Sequence, residues 1–283
     1  MTDALVALWI DSAPSYAWLA RRCVVSLRRT GTKLDVLVFA PRGSAIDVGD
    51  VRKVKLIEIE SPQHESIYLD KWRCLVHLDA ERVIFLDADT MGLQPLELLL
   101  EKYQVEDLYA RQEAGTYRPE DRDVDHAFPA QIDWEALDRQ RGPYDATVPV
   151  VNTGVMVLTH SACRKIPQLL SDLQVHYADW ASGARPYPSS NLHIREEVAL
   201  SLALGRPGSP TLGCLSREDA PFYAELARTN PEQGIVMHVW SGLYRRYLHE
   251  QRAWADLADF DLERRRDRLR HVQSRRNRDR AAA

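Results

Sequence analysis

Cysteine, net charge and long apolar runs are all scarce in this chain of 283 residues. Its four cysteines, Cys23, Cys74, Cys163 and Cys214, lie far apart and form no Cys-x-x-Cys pair. That spacing supplies neither a disulfide framework nor a zinc site, so they read as buried free thiols. The formal net charge is only -4 at pH 7, which excludes a broad attraction to nucleic acid and leaves any basic patch local. No apolar run approaches the ~20 residues that span a bilayer. The start, MTDALVALWIDSAPSYAW, also lacks a basic segment followed by a long apolar core, so no export signal or transmembrane segment is expected and the location reads as cytoplasmic. There is no internal repeat.

The chain does carry the composition of a globular protein, 45% hydrophobic and 28% charged, and enough length to bury a sizeable core. The first hundred residues alternate apolar runs with amphipathic segments. LVALWI (5–10) ends at Asp11 and Pro14, YAWLARRCVVSLRRTG reads as a helix stopped by Gly31, and LDVLVFA (34–40) ends at PRG. VKLIEIE reads as a third strand, DKWRCLVHLDA as a helix, RVIFLDAD as a fourth strand and LELLLEKY as the next helix. Continuous apolar strands alternating with helices predict a single α/β domain with a mostly parallel central sheet flanked by helices. Ligands bind such sheets outside the carboxyl ends of the strands. Asp11 and the pair Asp87/Asp89 stand at two such ends.

From Asp107 to Thr147 the sequence becomes charged, aromatic and punctuated by Pro and Gly, which is too long for an ordinary connection and reads as a functional excursion. Regular structure is predicted again in VPVVNTGVMVLT, a strand broken by an Asn-Thr-Gly turn or bulge, in helices around 161–178 and 194–204, and in the strand-like GIVMHVW (234–240). The main domain is thus expected over 1–250. Residues 251–283 form a separate tail, whose last 23 residues carry nine Arg against four acidic residues. It reads as a solvated helix or frayed end, with contact to an anionic membrane or acidic partner as the alternative.

The most informative stretch is RVIFLDADTMG, in which a buried run ends on two carboxylates. Two such oxygens at the mouth of a sheet suit a hard divalent cation that also takes substrate phosphate oxygens. Strand alternation would aim Asp87 and Asp89 the same way and turn the small Ala88 back into the structure. The competing reading is an acidic turn that caps the next helix through Asp89 or Thr90.

The surrounding piece YLDKWRCLVHLDAERVIFLDADTMGLQPLELLL resembles the segment around the DxD motif of GT-A fold glycosyltransferases, particularly family 8 with its glycogenin and galactosyltransferase branches. Three further pieces fall in the family's order: ALWIDSAPSYAWLARRCVVSLRRTG, VVNTGVMVL and IVMHVWSG. The resemblance spans about Ala4 to Leu248 with a divergent middle.

It implies transfer of a sugar from a nucleotide sugar, a UDP-sugar, to an acceptor glycan, small molecule or protein, with retention of configuration. Asp87, Asp89 and His238 match the metal ligands, and an imidazole among them favours Mn²⁺ over Mg²⁺. Asp11 and Tyr16, with Leu8 leading into their loop, match the site for the nucleotide base. Lys71 matches the residue that reaches donor phosphates or sugar, Ala88 lies within the DxD segment, and Asn152, Thr153 and Gly154 match the turn at the donor sugar. Glu196 and Glu197 stand where many members carry Asp-Gln, and with Asn152 are the candidate catalytic groups. Gly242 and Arg245 (or Arg246) stand in for the family's later glycine and lysine. Both replacements depart from its pattern, and the first leaves the stereochemical course open.

Haloacid-dehalogenase-type phosphatases also run a strand into Asp-x-Asp, but they want Thr where Met91 stands. Nucleotidyltransferases would want an N-terminal Gly-rich phosphate loop, which is absent. A non-catalytic nucleotide-sugar binder, or a protein glycosylating itself on Tyr109, Tyr117 or Tyr144, is the non-canonical alternative left by Glu197 and the tyrosine-bearing excursion.

Overall fold

A computed structural model describes residues 2–10, 14–43, 51–60, 71–116, 149–174, 196–206, 208–222 and 234–238. Strands β1 (Thr2–Trp9), β2 (Asp35–Pro41), β3 (Val54–Ile59), β4 (Ala80–Asp87), β6 (Leu108–Thr116), β7 (Pro149–Thr159) and β8 (Leu212–Cys214) make one sheet in the order β3-β2-β1-β4-β7-β6-β8. All neighbours from β3 to β4 are parallel, β7 runs antiparallel to both β4 and β6, and β8 is parallel to β6. Only β7 therefore opposes the rest, and the sheet is mostly parallel as expected. A small second sheet pairs β5 (Thr90–Gly92) with β9 (Val236–His238).

The unbroken apolar character of β1, β2 and β4 follows from burial on both faces. Leu5, Ala7, Phe39, Val83 and Phe85 face one core with Trp72, Leu75 and Leu78, while Val6, Leu8, Val36, Val38, Ile84 and Leu86 face the other. Helix α1 (Pro14–Arg29) closes the second face with Leu19, Ala20, Cys23, Val24 and Leu27, a stripe at helical spacing. It ends as the sequence predicts. Gly31 sits at φ 91°, the Thr32 N–H reaches the Leu27 carbonyl at 3.0 Å and the Gly31 N–H reaches Arg28 at 3.1 Å. This is the Schellman arrangement, in which a residue with left-handed backbone satisfies the last carbonyls of the helix.

Short helix α2 (Glu97–Lys102) places Leu99 in that same core. On the first face lie α3 (His160–Gln174), through Ala162, Cys163, Ile166 and Leu170, and α4 (Glu196–Leu204), through Leu200 and Ala203. Thr159 Oγ1 caps α3 by accepting the Ala162 N–H at 3.2 Å.

Several expectations change. Over DKWRCLVHLDA the described residues 71–73 are α-helical as expected, but the helix then tightens into a 3-10 helix, Cys74–His77, and Val76 is exposed. The tighter helix lets Trp72, Cys74, Leu75 and Leu78 all reach the sheet despite imperfect α spacing. The excursion expected from Asp107 opens instead with β6, a sheet strand in which Tyr109 and Ala110 are buried; residues 117–148 lie outside the described ones. Cys214 is exposed, so three thiols rather than four are buried. The tail at 251–283 also lies outside the described residues. Among the described residues, no helix is long and apolar enough to cross a membrane.

Candidate functional site

The site forms where β4 ends. Trp9 and Asp87 are the last pair of the β1–β4 ladder, so Asp87 emerges at the carboxyl end of the central strand. Ala88 and Asp89 make a turn, and Ala88 faces the core. Its small side chain points inward as expected, although the turn, rather than strand alternation, aims both carboxylates outward. Thr90 does not cap a helix; its hydroxyl donates to the Asp87 carbonyl at 2.8 Å and lies 3.3 Å from Cys23 Sγ on α1. Helix α2 likewise has no side-chain cap, which removes the helix-capping reading of the acidic pair.

Thr90 opens β5, and the β5–β9 register sets it directly opposite His238. Chain segments nearly 150 positions apart in sequence thus meet at one point. His238 Nε2 lies 3.2 Å from Asp89 Oδ1 and 4.0 Å from Asp87 Oδ2. The ring is buried, packed 5.6 Å from the Phe222 ring, which carries the Arg111 guanidinium 3.7 Å from its own centroid. Phe222 and Arg111 were not legible as site residues, because nothing in sequence links either to the histidine motif.

The Asn-Thr-Gly segment of β7 supplies the other wall. The β6–β7 register slips between Ala110 and Arg111, so one step on β6 spans Met156 to Asn152 on β7. This is the bulge expected in VVNTGVMVL. Bulging turns Asn152 toward His238, with Asn152 Oδ1 3.1 Å from His238 Nδ1. Asn152 Nδ2 donates to Glu197 Oε1 at 2.9 Å, and the Gly154 N–H donates to Asn152 Oδ1 at 3.1 Å. Gly154 leaves the space the imidazole fills: a Cβ there would stand 2.2 Å from His238 Cε1 and Nδ1.

Lys71 is buried. Its ammonium lies 2.5 Å from Asp87 Oδ1 and donates to Thr153 Oγ1 at 3.0 Å. It thus ties the DxD strand to the bulge. Burial opposes a charge on the His238 ring, but the Asp89 carboxylate, by charge and hydrogen bond, with Asp87 behind it, outweighs burial, and the ring's pKa is raised. Burial likewise opposes ionisation of Asp89, yet His238 and then Lys71 hold its pKa below the ordinary carboxylate value.

Asp87, Asp89 and His238 each offer one ligand atom, and these atoms lie within 4.8 Å of one another. Ligands of one ion at ~2.1 Å stand ~3.0 Å apart when adjacent and ~4.2 Å when opposite, and the 3.2 and 4.0 Å separations from Nε2 lie near those limits. Two carboxylate oxygens and an imidazole are therefore spaced so that they could hold a divalent ion.

The other expected residues fall in different places. Leu8 is fully buried in the core between β2 and β4, so its side chain is no part of the site. Tyr16 is on α1, 41% exposed. Glu196 opens α4 beside Glu197. Asp11, Gly242, Arg245 and Arg246 lie outside the described residues. Tyr109 Oη accepts the Val105 and Glu106 N–H groups, each at 2.9 Å.

No protein-family model and no curated protein matches the sequence. Solved structures do match. The galactosyltransferase LgtC, in complex with donor and acceptor sugar analogues, is 13% identical, with a TM-score of 0.53 over 84% of this chain and 87% of that one. The glycosyltransferase GlyE of Streptococcus pneumoniae TIGR4 is 13% identical, with a TM-score of 0.51 over 85% of this chain, which spans 56% of that chain. The bifunctional glycosyltransferase WbbM is 12% identical, with a TM-score of 0.50 over 85% of this chain and 46% of its own. At these identities the likeness is one of architecture, and the chain has the GT-A-like fold of glycosyltransferases.

Proposed function

We propose that this chain is a metal-dependent glycosyltransferase that moves a sugar from a UDP-sugar to an acceptor hydroxyl, with retention of anomeric configuration. The observation that carries the reading is the convergence of Asp87, Asp89 and His238 at the carboxyl end of β4 in a GT-A-like sheet. The difficult charge in such a transfer develops on the departing diphosphate. A bound Mn²⁺ would supply Lewis acidity and a template for that diphosphate.

The chain's own residues divide the remaining tasks. Asp87 and Asp89 offer oxygen ligands and His238 a nitrogen. Lys71, locked to Asp87 and Thr153, holds the first carboxylate in place and brings positive charge to the wall behind it, a different task from reaching the phosphates directly. The bulge at Asn152, Thr153 and Gly154 borders the donor sugar, and Glu196 and Glu197 on α4 supply negative charge for an oxocarbenium-like sugar. Asp11 and Tyr16 bind the base, Gly242 and Arg245 the diphosphate. The acceptor side falls to the 107–147 excursion and the C-terminal part, and the location is cytoplasmic.

Two alternatives lose support. A dehalogenase-type phosphatase needs Thr where Met91 stands, and the architectural neighbours are glycosyltransferases. Self-glycosylation on Tyr109 would require a buried hydroxyl to leave two backbone donors; Tyr117 and Tyr144 lie outside the described residues.

The test is calorimetric titration of UDP with and without Mn²⁺, in the wild type and in Asp89→Ala. Micromolar binding that needs both Mn²⁺ and Asp89 is expected. Absence of UDP binding with any divalent ion would overturn the reading.

A further inference from the structure

The reading just given places Glu197 and Asn152 beside the reacting sugar, but their hydrogen bonds run the other way, into the metal site. A carboxylate only accepts and a backbone N–H only donates. Asn152 lies between one of each: its amide nitrogen faces Glu197 Oε1 at 2.9 Å, and its carbonyl oxygen faces the Gly154 N–H at 3.1 Å. Both contacts select the same orientation of the amide. The carbonyl oxygen that results is 3.1 Å from His238 Nδ1, so that nitrogen must carry a hydrogen. Nε2, the nitrogen 3.2 Å from Asp89 Oδ1 and 4.0 Å from Asp87 Oδ2, is left to face the ligand oxygens.

We propose that Glu197 is a positioning residue: acting through Asn152, it keeps the hydrogen of His238 on Nδ1 and turns Nε2 toward the ion shared with Asp87 and Asp89. A metal-bound histidine commonly donates its other ring N–H to a carboxylate or carbonyl, which sets the tautomer and the ring orientation. Here an amide is inserted between the carboxylate and the ring, and the carboxylate lies on a different element, α4, from either partner. The arrangement also accounts for Glu197 standing where many family 8 members carry glutamine. A side-chain oxygen that accepts from Asn152 Nδ2 is what the position requires, and both residue types have one. The proposal rests on the metal reading of the site.

Mn²⁺ binding is measured by electron paramagnetic resonance of the free ion for the full chain, Asp89→Ala, Glu197→Ala and Glu197→Gln, with circular dichroism to confirm folding. The ring nitrogens of ¹⁵N-histidine-labelled protein are read by long-range ¹H–¹⁵N spectra, without metal and with Zn²⁺ as a diamagnetic substitute. Glu197→Ala is expected to raise the Mn²⁺ dissociation constant about 10-fold or more and, in the Zn²⁺-bound protein, to lose the uniquely protonated Nδ1. Glu197→Gln is expected to restore both, staying within about 3-fold of wild type. Unchanged affinity in a folded Glu197→Ala would overturn the proposal. So would a Glu197→Gln as weak as the alanine variant, because charge rather than orientation would then be the cause. If the wild type binds neither ion, the metal reading fails; the metal-free Nδ1 signal, present in wild type and lost in Glu197→Ala, would still uphold the orienting contact.

Discussion

Replacing Gly154 by Ala probes the site with the smallest possible change. The added Cβ would stand 2.2 Å from His238 Cε1, 2.2 Å from Nδ1 and 2.7 Å from Nε2. Carbon atoms pack best at ~3.5 Å or more, so the ring or the β7 backbone must retreat by about 1.3 Å. The ring has little freedom to do so. Its Nδ1 is 3.1 Å from Asn152, its Nε2 is 3.2 Å from Asp89, Phe222 packs against it, and its backbone is paired to Thr90. A move of that size takes at least one of those contacts beyond hydrogen-bond range, which ends near 3.5 Å.

The stability cost is that of overpacking, about 1–3 kcal/mol, less the few tenths of a kcal/mol, up to ~1, that Gly→Ala returns by restricting the unfolded chain. The larger effect is on metal binding, since the proposed ion ligand His238 is displaced: Mn²⁺ affinity should fall about 10- to 100-fold. Gly213→Ala is the control. Its Cβ would meet the Tyr109 ring at 2.3 Å, away from the site, so it should lower the melting temperature and leave Mn²⁺ affinity unchanged. Thermal unfolding and Mn²⁺ titration on both variants check the argument. A Gly154→Ala protein that binds Mn²⁺ like wild type would refute the claim that Gly154 exists to seat His238.

Two further outcomes are expected. Lys71→Met removes the cation from a buried pair and leaves Asp87 facing Asp89 without it; urea unfolding should show a loss of about 3 kcal/mol, with added Mn²⁺ recovering part of it, and equal stability of mutant and wild type would contradict the assigned ion pair. Asp219 accepts from Lys102 Nζ and Tyr103 Oη, each at 2.6 Å, while its carbonyl accepts the Ile235 and Val236 N–H groups that lead into β9. Although burial opposes it, these side-chain bonds and Ser216 lower the pKa of Asp219. Its stabilisation is therefore present above the unfolded value of about 3.9 and is lost as pH falls through the lower folded value. Asp219→Asn should cost about 2 kcal/mol at pH 7 and flatten the acid limb of the stability curve; an unchanged acid limb would mean the carboxylate is not the titrating group.

The amino-acid sequence by itself determined the parallel half of the sheet. Runs such as LVALWI and RVIFLD are apolar on both faces, which only a strand covered on both sides can use, and Gly31 marked the end of α1 because it supplies the left-handed residue a Schellman cap needs. It also marked the two carboxylates at the end of β4 and the bulge in VVNTGVMVL, since both are local patterns. Where patterning is weak, its reach ended: β6 was hidden in a polar, punctuated stretch because its register is irregular, and the 3-10 helix after Lys71 passed for an α-helix because four residues cannot distinguish the two periods.

The tertiary structure alone decided what the site residues do for one another. The β5–β9 ladder brings His238 opposite Thr90, the β7 bulge turns Asn152 toward that ring, and α4 sets Glu197 behind the amide. None of these contacts follows from spacing, because each joins elements whose separation along the chain says nothing about their distance in space. Lys71 shows the same limit. By resemblance it is the residue that reaches donor phosphates or sugar, whereas burial and a 2.5 Å contact make it the partner of Asp87. Residue type sets which chemistry is possible, and packing assigns each group its partner.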